Sequence, residues 1–191
     1  MNSFFLPTVI SKKQAVQSIQ SYQNNWITKW QSVLGAKKKL TSMEMVYLPY
    51  WCYDYEYTSL QMKEPICGKV AVETGKQLTA ILPSTAGLQE LDLSDGEITM
   101  LHVSGNPEQK VAEEAIYWEA FTREKKRKDI QVTITETNLL YVPYWLGYVK
   151  SGNQMELVIV DATSGKVDLG IKDAMIQALM AGKENEIPLA R

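Results

Sequence analysis

The chain has 191 residues and a formal net charge of −2, and its 45% hydrophobic and 22% charged content is ordinary globular composition. That balance argues against a surface built wholly for nucleic acid, and no run of about 18 apolar residues exists that would cross a bilayer as a helix. Aromatic usage is skewed to ten Tyr and five Trp against three Phe, residue types that pack a ring while the OH or NH still needs a partner.

The start, Met1 to Pro7, has no charged region ahead of its apolar run, so it does not resemble a secretory signal and a cytoplasmic location is expected. Ser11 is a good N-cap for an apolar stripe through Ala15, Val16, Ile19, Tyr22, Trp26, Ile27, Trp30, Val33 and Leu34. The spacing predicts a helix of about six turns closing at Gly35, with Lys37, Lys38 and Lys39 where cations suit its C-terminus. Residues 41–57 read as a strand, with Trp51, Tyr53, Tyr55 and Tyr57 alternating against Cys52, Asp54 and Glu56. Pro49 cannot donate to a ladder, which predicts an edge position or a bulge there. A turn near Ser59–Gln61 returns a second strand at 66–73, and Thr74-Gly75-Lys76 turns into a third at 77–83.

Asp95-Gly96 signals a hairpin between 91–93 and 98–103, a piece that either links two halves or extends one sheet. Asn106 as cap and Pro107 at the first helical position predict a second helix with the stripe Val111, Ala115, Trp118 and Phe121 or Thr122. It closes on Lys125, Lys126, Arg127 and Lys128. Strands follow at 130–150 and 155–161, then Ser164-Gly165-Lys166 and a last helix over 171–181 ending near Gly182.

Tyr47-Leu48-Pro49-Tyr50-Trp51 recurs as Tyr141-Val142-Pro143-Tyr144-Trp145, and helix, basic run and Gly-Lys turn recur around it in the same order. Such a collinear match predicts an internal duplication. The fold class expected is α+β: two tandem units, 1–90 and 105–191, each one helix on an antiparallel sheet, with 91–104 between them. Their sheets are either joined or packed face to face.

The segment Val158-Ile159-Val160-Asp161-Ala162-Thr163-Ser164-Gly165-Lys166-Val167 resembles the strand, aspartate and Thr-Gly turn of the PepSY domain. The order of elements is similar to that domain and its cystatin-like relatives. The first copy departs from the pattern: Ala71 stands where Asp161 would align, and Tyr-x-Pro-Tyr-Trp belongs to no general PepSY pattern. The resemblance implies a non-catalytic binding or inhibitory module, often associated with the bacterial cell envelope, and carries over no catalytic residue.

Two roles fit the aromatics Tyr47, Tyr50, Trp51, Tyr53, Tyr55, Tyr141, Tyr144, Trp145 and Tyr148: core between helix and sheet, or the lining of a groove for a protein partner. Two also fit the basic runs: solvated helix ends, or a patch for an anionic membrane surface. A turn at 59–60 would set Cys52 opposite Cys67, as packed thiols in a reducing compartment or as a disulfide in an exported protein. With one histidine, His102, and no Cys-x-x-Cys pair, phosphate loop or nucleophile motif, the sequence calls for no metal, no cofactor and no catalytic residue. The expected function is protein binding through aromatic strands or sheet edges, with anionic membrane binding as the alternative.

Overall fold

Two long strands carry the pentapeptides, and they pair with each other. In a computed structural model describing residues 2–24, 38–60, 62–83, 87–90, 99–124 and 129–185, β2 (Lys39–Thr58) runs antiparallel to β7 (Gln131–Ser151) along its whole length. The register sets Leu48 opposite Val142, flanked by Tyr47↔Pro143 and Pro49↔Tyr141. The fourth residues of the two pentapeptides bond too: the Tyr50 and Tyr144 hydroxyls, 94 residues apart in sequence, lie 3.0 Å apart.

The other strands are β1 (Ser3–Phe5), β3 (Ile66–Glu73), β4 (Thr79–Leu82), β5 (Gln89–Glu90), β6 (Thr99–Met100) and β8 (Gln154–Asp161). All join β2 and β7 in one eight-stranded mixed sheet, ordered β4-β3-β2-β7-β1-β5, with β6 also on β2 and β8 also on β7. The outer edge of β2 pairs first with β6, parallel at Val46 and Tyr47, then with β3, antiparallel from Tyr50. The outer edge of β7 does the same, first with β1 up to Tyr141, then with β8 from Tyr144.

Pro49 and Pro143 sit where those partners change. Neither is on an edge strand, and the β2–β7 register shifts only between Leu40 and Ser42 and between Asp54 and Tyr55. The edge or bulge expected at Pro49 is therefore corrected. The missing N–H falls at a gap between two neighbouring strands, where a ladder would supply no acceptor. Each carbonyl is still used, Pro49 by Thr74 N–H at 3.3 Å and Pro143 by Ala162 N–H at 3.0 Å.

Three helices are described: α1 (Lys12–Asn24), α2 (Gln109–Arg123) and α3 (Lys172–Asn185). Ser11 caps α1, exchanging hydrogen bonds with Gln14. Trp26, Ile27, Trp30, Val33 and Leu34 of the expected stripe lie outside the described residues. α2 starts later than expected, at Gln109, so Pro107 is not its first residue. Its buried stripe is Ala112, Ile116 and Ala120, whereas Trp118 is 55% exposed. The reason is what lies beneath: Trp51, Tyr53, Tyr55 and Tyr57 already fill the space, so the helix face must be small. α3 runs on through Gly182.

α1 and α2 cover the face of the sheet that carries Trp51, Tyr53, Trp145 and Gly147; α1 lies on the hairpin of the other part of the chain, and α2 on strands of both parts. α1 packs on β7 and β8, with Ala15 and Ile19 against Val149, Val158 and Val160. Gly147 lies directly beneath Ile19, where a Cβ would overlap Ile19 Cδ1. α2 packs on β2, β3 and β4 as well as β7. α3 covers the opposite face, where Ile171, Ala174, Met175 and Ala178 meet Leu48, Tyr50, Val142 and Tyr144. The middle of each long strand is thus buried on both faces, at about 1.5–3 kcal/mol per fully buried large apolar side chain.

Candidate functional site

The chain's own helices cover most of the aromatic stripe. Trp51, Tyr53 and Tyr55 are buried beneath α2, with Tyr141 half-buried beside them. Burial, then the Glu108 carboxylate, pushes the Tyr53 phenol up to about 12. Tyr50 and Tyr144 are buried beneath α3, and burial drives both phenols well above their ordinary value. Tyr47 is buried edge-on to Phe5, its hydroxyl 3.3 Å from Thr8 Oγ1. Trp145 is half-buried beneath α1, and Tyr148, also half-buried, donates its hydroxyl proton to Glu44.

Two matching turns frame the most informative region. Glu73 pairs with Tyr50 as Asp161 pairs with Tyr144. Glu73 N–H reaches Leu78 O at 2.8 Å and Gln77 N–H reaches Glu73 O at 3.0 Å; Asp161 to Lys166 at 2.9 Å and Gly165 to Asp161 at 2.8 Å repeat this. Glu73, not Ala71, therefore stands where Asp161 does. The Gly-Lys pair misleads because Gly75 follows its acid by two residues and Gly165 by four. The left-handed position is Gly165 (φ 76) in one turn and Gln77 (φ 57) in the other. Both acids brace their turns: Glu73 accepts from Gly75 N at 2.9 Å and Lys76 N at 2.6 Å, and Asp161 from Thr163 N at 2.7 Å and Ser164 Oγ at 2.6 Å.

The indoles beside these turns differ. Trp145 Nε1–H donates to the Ile10 carbonyl at 2.8 Å, while Val9 and Ile10 N–H both donate to Ala162 O. Trp51 is 7% exposed, yet its Nε1–H has no protein acceptor. The segment corresponding to Val9–Ile10 is Ser104–Gly105, where Ser104 N–H meets Thr74 Oγ1 at 3.2 Å and Gly105 (φ 74) lies against Thr74 O. Gly105 brings no side chain, and a cavity of about 200 Å³ remains among Trp51, Glu73, Gly105, Asn106, Glu108 and Gln177. The sequence marked Trp51 as a candidate and Asn106 and Glu108 only as a helix start; Glu73, Gly105 and Gln177 appear once Gly105 is aligned with Ile10, as Leu101 N–H to Tyr47 O matches Leu6 N–H to Tyr141 O.

The second asymmetry is at the sheet edge. β3 is covered from Lys69 to Val72 by β4. Among the described residues, β8 meets on that side only a bridge, Val160 to Val167, because the chain turns at Asp168, whose carboxylate takes Gly170 N–H at 2.9 Å and Ile171 N–H at 3.2 Å. An open groove of about 680 Å³ runs between α1, offering Gln14, Gln17, Ser18 and Ser21, and residues 164–167, which follow β8.

Of the basic runs, Lys37 and Lys125–Lys128 lie outside the described residues. Lys38 pairs with Glu156 at 2.7 Å, and Lys39 opens β2 exposed to solvent. Cys67 pairs with Glu56 and Cys52 with Ala71, so the cysteines are not opposite; the connection spans 59–65, longer than a tight turn, and shifts the register. Both are free thiols, and burial pushes that of Cys52 up to about 11. His102 is exposed between β6 and α2. Among the described residues no three His, Cys, Asp or Glu side chains gather to hold a metal, and no helix is long and apolar enough to cross a membrane. No protein-family model, no curated protein and no solved structure matches the chain.

Proposed function

We propose that the chain is a non-catalytic protein-binding module made by duplication of a PepSY-like or cystatin-like unit, and that its partner enters as an extended strand on the outer edge of β8. The duplication reading is supported by pairing symmetric about Leu48 and Val142, by two prolines at two changes of partner, and by two turns bonded alike. One observation carries the binding reading: β4 lies on β3, and the corresponding edge of β8 has, among the described residues, one bridge. A free edge offers alternate N–H and C=O groups to an incoming strand. On β8 these belong to Met155 and Leu157, two and four residues before Ile159, whose carbonyl already accepts Asp168 N–H at 2.9 Å.

The probe is a peptide copying residues 76–83, the strand that covers β3. It is expected to slow amide hydrogen exchange at Met155 and Leu157, and Met155→Pro, which removes one outward N–H on an exposed residue, is expected to abolish the effect. Unchanged exchange, or equal protection of Leu157 in the Met155→Pro variant, overturns the reading.

A further inference from the structure

The two faces of β8 differ in chemistry at the open end of its edge. Leu157 and Ile159 meet the core beneath α3, and strand alternation puts Met155 on their side. Val158 and Val160 meet α1 on the other side, which Glu156 shares. The α3 side is apolar and uncovered there: Met155 is 58% exposed and Leu157 is half-buried. On the matching edge Lys69, four residues before Glu73 as Leu157 is before Asp161, already has Leu82 of β4 opposite it.

The α1 side carries a carboxylate. Glu156 gives one oxygen to Lys38 at 2.7 Å, and among the described residues no donor is bonded to the other. Lys38 approaches from the β2 side, since Lys39 pairs with Lys150 and Lys150 with Met155, so a strand added outside β8 meets Glu156 first. Lys150 projects on the α3 side, two strand spacings or about 9–10 Å from an added strand. Met155 and Leu157 turn their N–H and C=O groups outward. Glu156, between them, therefore forms the non-hydrogen-bonded kind of pair with an antiparallel neighbour, in which the Cα atoms approach to about 4.5 Å. At that distance an opposite charge attracts and a like charge repels. The antiparallel direction is the one Val167 takes on Val160 at the closed end of the same edge.

We infer, resting on strand addition at β8, that this edge selects its protein partner by a three-residue pattern: an apolar residue, a Lys or Arg, and a second apolar residue, opposite Leu157, Glu156 and Met155 in turn. The backbone groups supply the attachment and the alternating side chains the choice of partner.

The test uses the whole chain and three peptides: acetyl-Thr-Thr-Val-Lys-Val-Thr-Thr-amide, its analogue with Glu for Lys, and its analogue with Thr for both Val. Binding is read from slowed amide exchange at Met155 and Leu157 as each peptide is titrated. The Val-Lys-Val peptide is expected to bind at least about threefold more tightly than either analogue. Glu156→Lys is expected to reverse the order of the Lys and Glu peptides. Glu156→Gln, which keeps the side chain's shape, is expected to bring those two within about twofold of each other. Equal protection by all three peptides leaves strand addition standing and overturns the inference. So does an order of the Lys and Glu peptides that Glu156→Lys and Glu156→Gln leave unchanged, or a Thr-Lys-Thr peptide that binds as tightly as Val-Lys-Val. Protection by none of the peptides overturns both the inference and the strand addition it rests on.

Discussion

The hydroxyls of Tyr50 and Tyr144 meet at 3.0 Å inside the sheet–α3 layer, one from each copy of the pentapeptide. Each is the other's partner, so removing one strands the other. Tyr50→Phe or Tyr144→Phe alone is expected to cost about 1–3 kcal/mol, and the double variant less than the sum. Tyr57→Phe supplies the contrast: that hydroxyl is buried with no protein partner, so its loss is expected to be neutral or stabilising by up to about 1 kcal/mol. Urea unfolding of the four variants checks this, and additive costs for Tyr50 and Tyr144 would show that the bond does not couple them.

The same pair sets an alkaline limit. Burial raises both phenols above their ordinary value near 10, so the folded state holds them neutral. Their contribution is complete below about pH 10 and is lost above it, as the unfolded chain ionises and the folded one does not. The urea midpoint is expected to hold from pH 7 to 9 and then fall, less steeply in the double Phe variant. An equal slope in both proteins refutes the assignment.

Gln77 occupies a left-handed position that glycine fills in the matching turn. Gln77→Gly is expected to stabilise the protein by about 1 kcal/mol, the strain of αL exceeding the added chain entropy. A lower unfolding midpoint for Gln77→Gly would contradict the match between the turns.

The two thiols are expected to react at very different rates. Cys67 is exposed, whereas Cys52 is 1% exposed and its thiol is pushed up to about 11. A disulfide reagent at pH 8 should modify Cys67 first and Cys52 roughly a hundredfold more slowly or worse, through local opening. Comparable rates in the Cys67→Ser and Cys52→Ala variants would place Cys52 outside the core.

Because α1 lies on β7 and β8, and α2 on β2, β3 and β4 as well as on β7, each helix depends on strands from the other part of the chain. Residues 1–94 and 95–191 made separately are expected to lack a folded monomer and to regain helix and cooperative unfolding when mixed. A folded, monomeric 1–94 by sedimentation and circular dichroism would rule out that dependence.

The α+β class was legible because Ala15 and Ile19 follow helical spacing and Trp51 to Tyr57 alternate strictly. What those spacings cannot carry is the identity of the partner surface. The alternation left open what covers the face of β2 that carries Cys52, Asp54 and Glu56, yet Cys52 and Tyr50 on that face lie in the core with α3, more than a hundred residues later. Trp118 read as core because it is large and apolar, whereas the helix needed alanine above the tyrosines. β1 is too short to announce itself, and it forms only because β7 offers an edge at Leu139 to Tyr141. The cavity beneath Trp51 was invisible for a related reason: it depends on Gly105 taking the place of Ile10, a comparison that requires the register of the finished sheet.

The crossed helices also order events during synthesis. α1 ends at Asn24, but the last strand it rests on ends at Asp161. At about 5–20 residues per second the ribosome needs roughly 7–30 s to make the stretch between them. Throughout that interval Ile19 and Ala15 have no surface to cover, and the aromatics of β2 wait for α2. Chaperones that shield apolar segments on the nascent chain would meet this protein early, and its tertiary structure must close late, after nearly the whole chain has emerged.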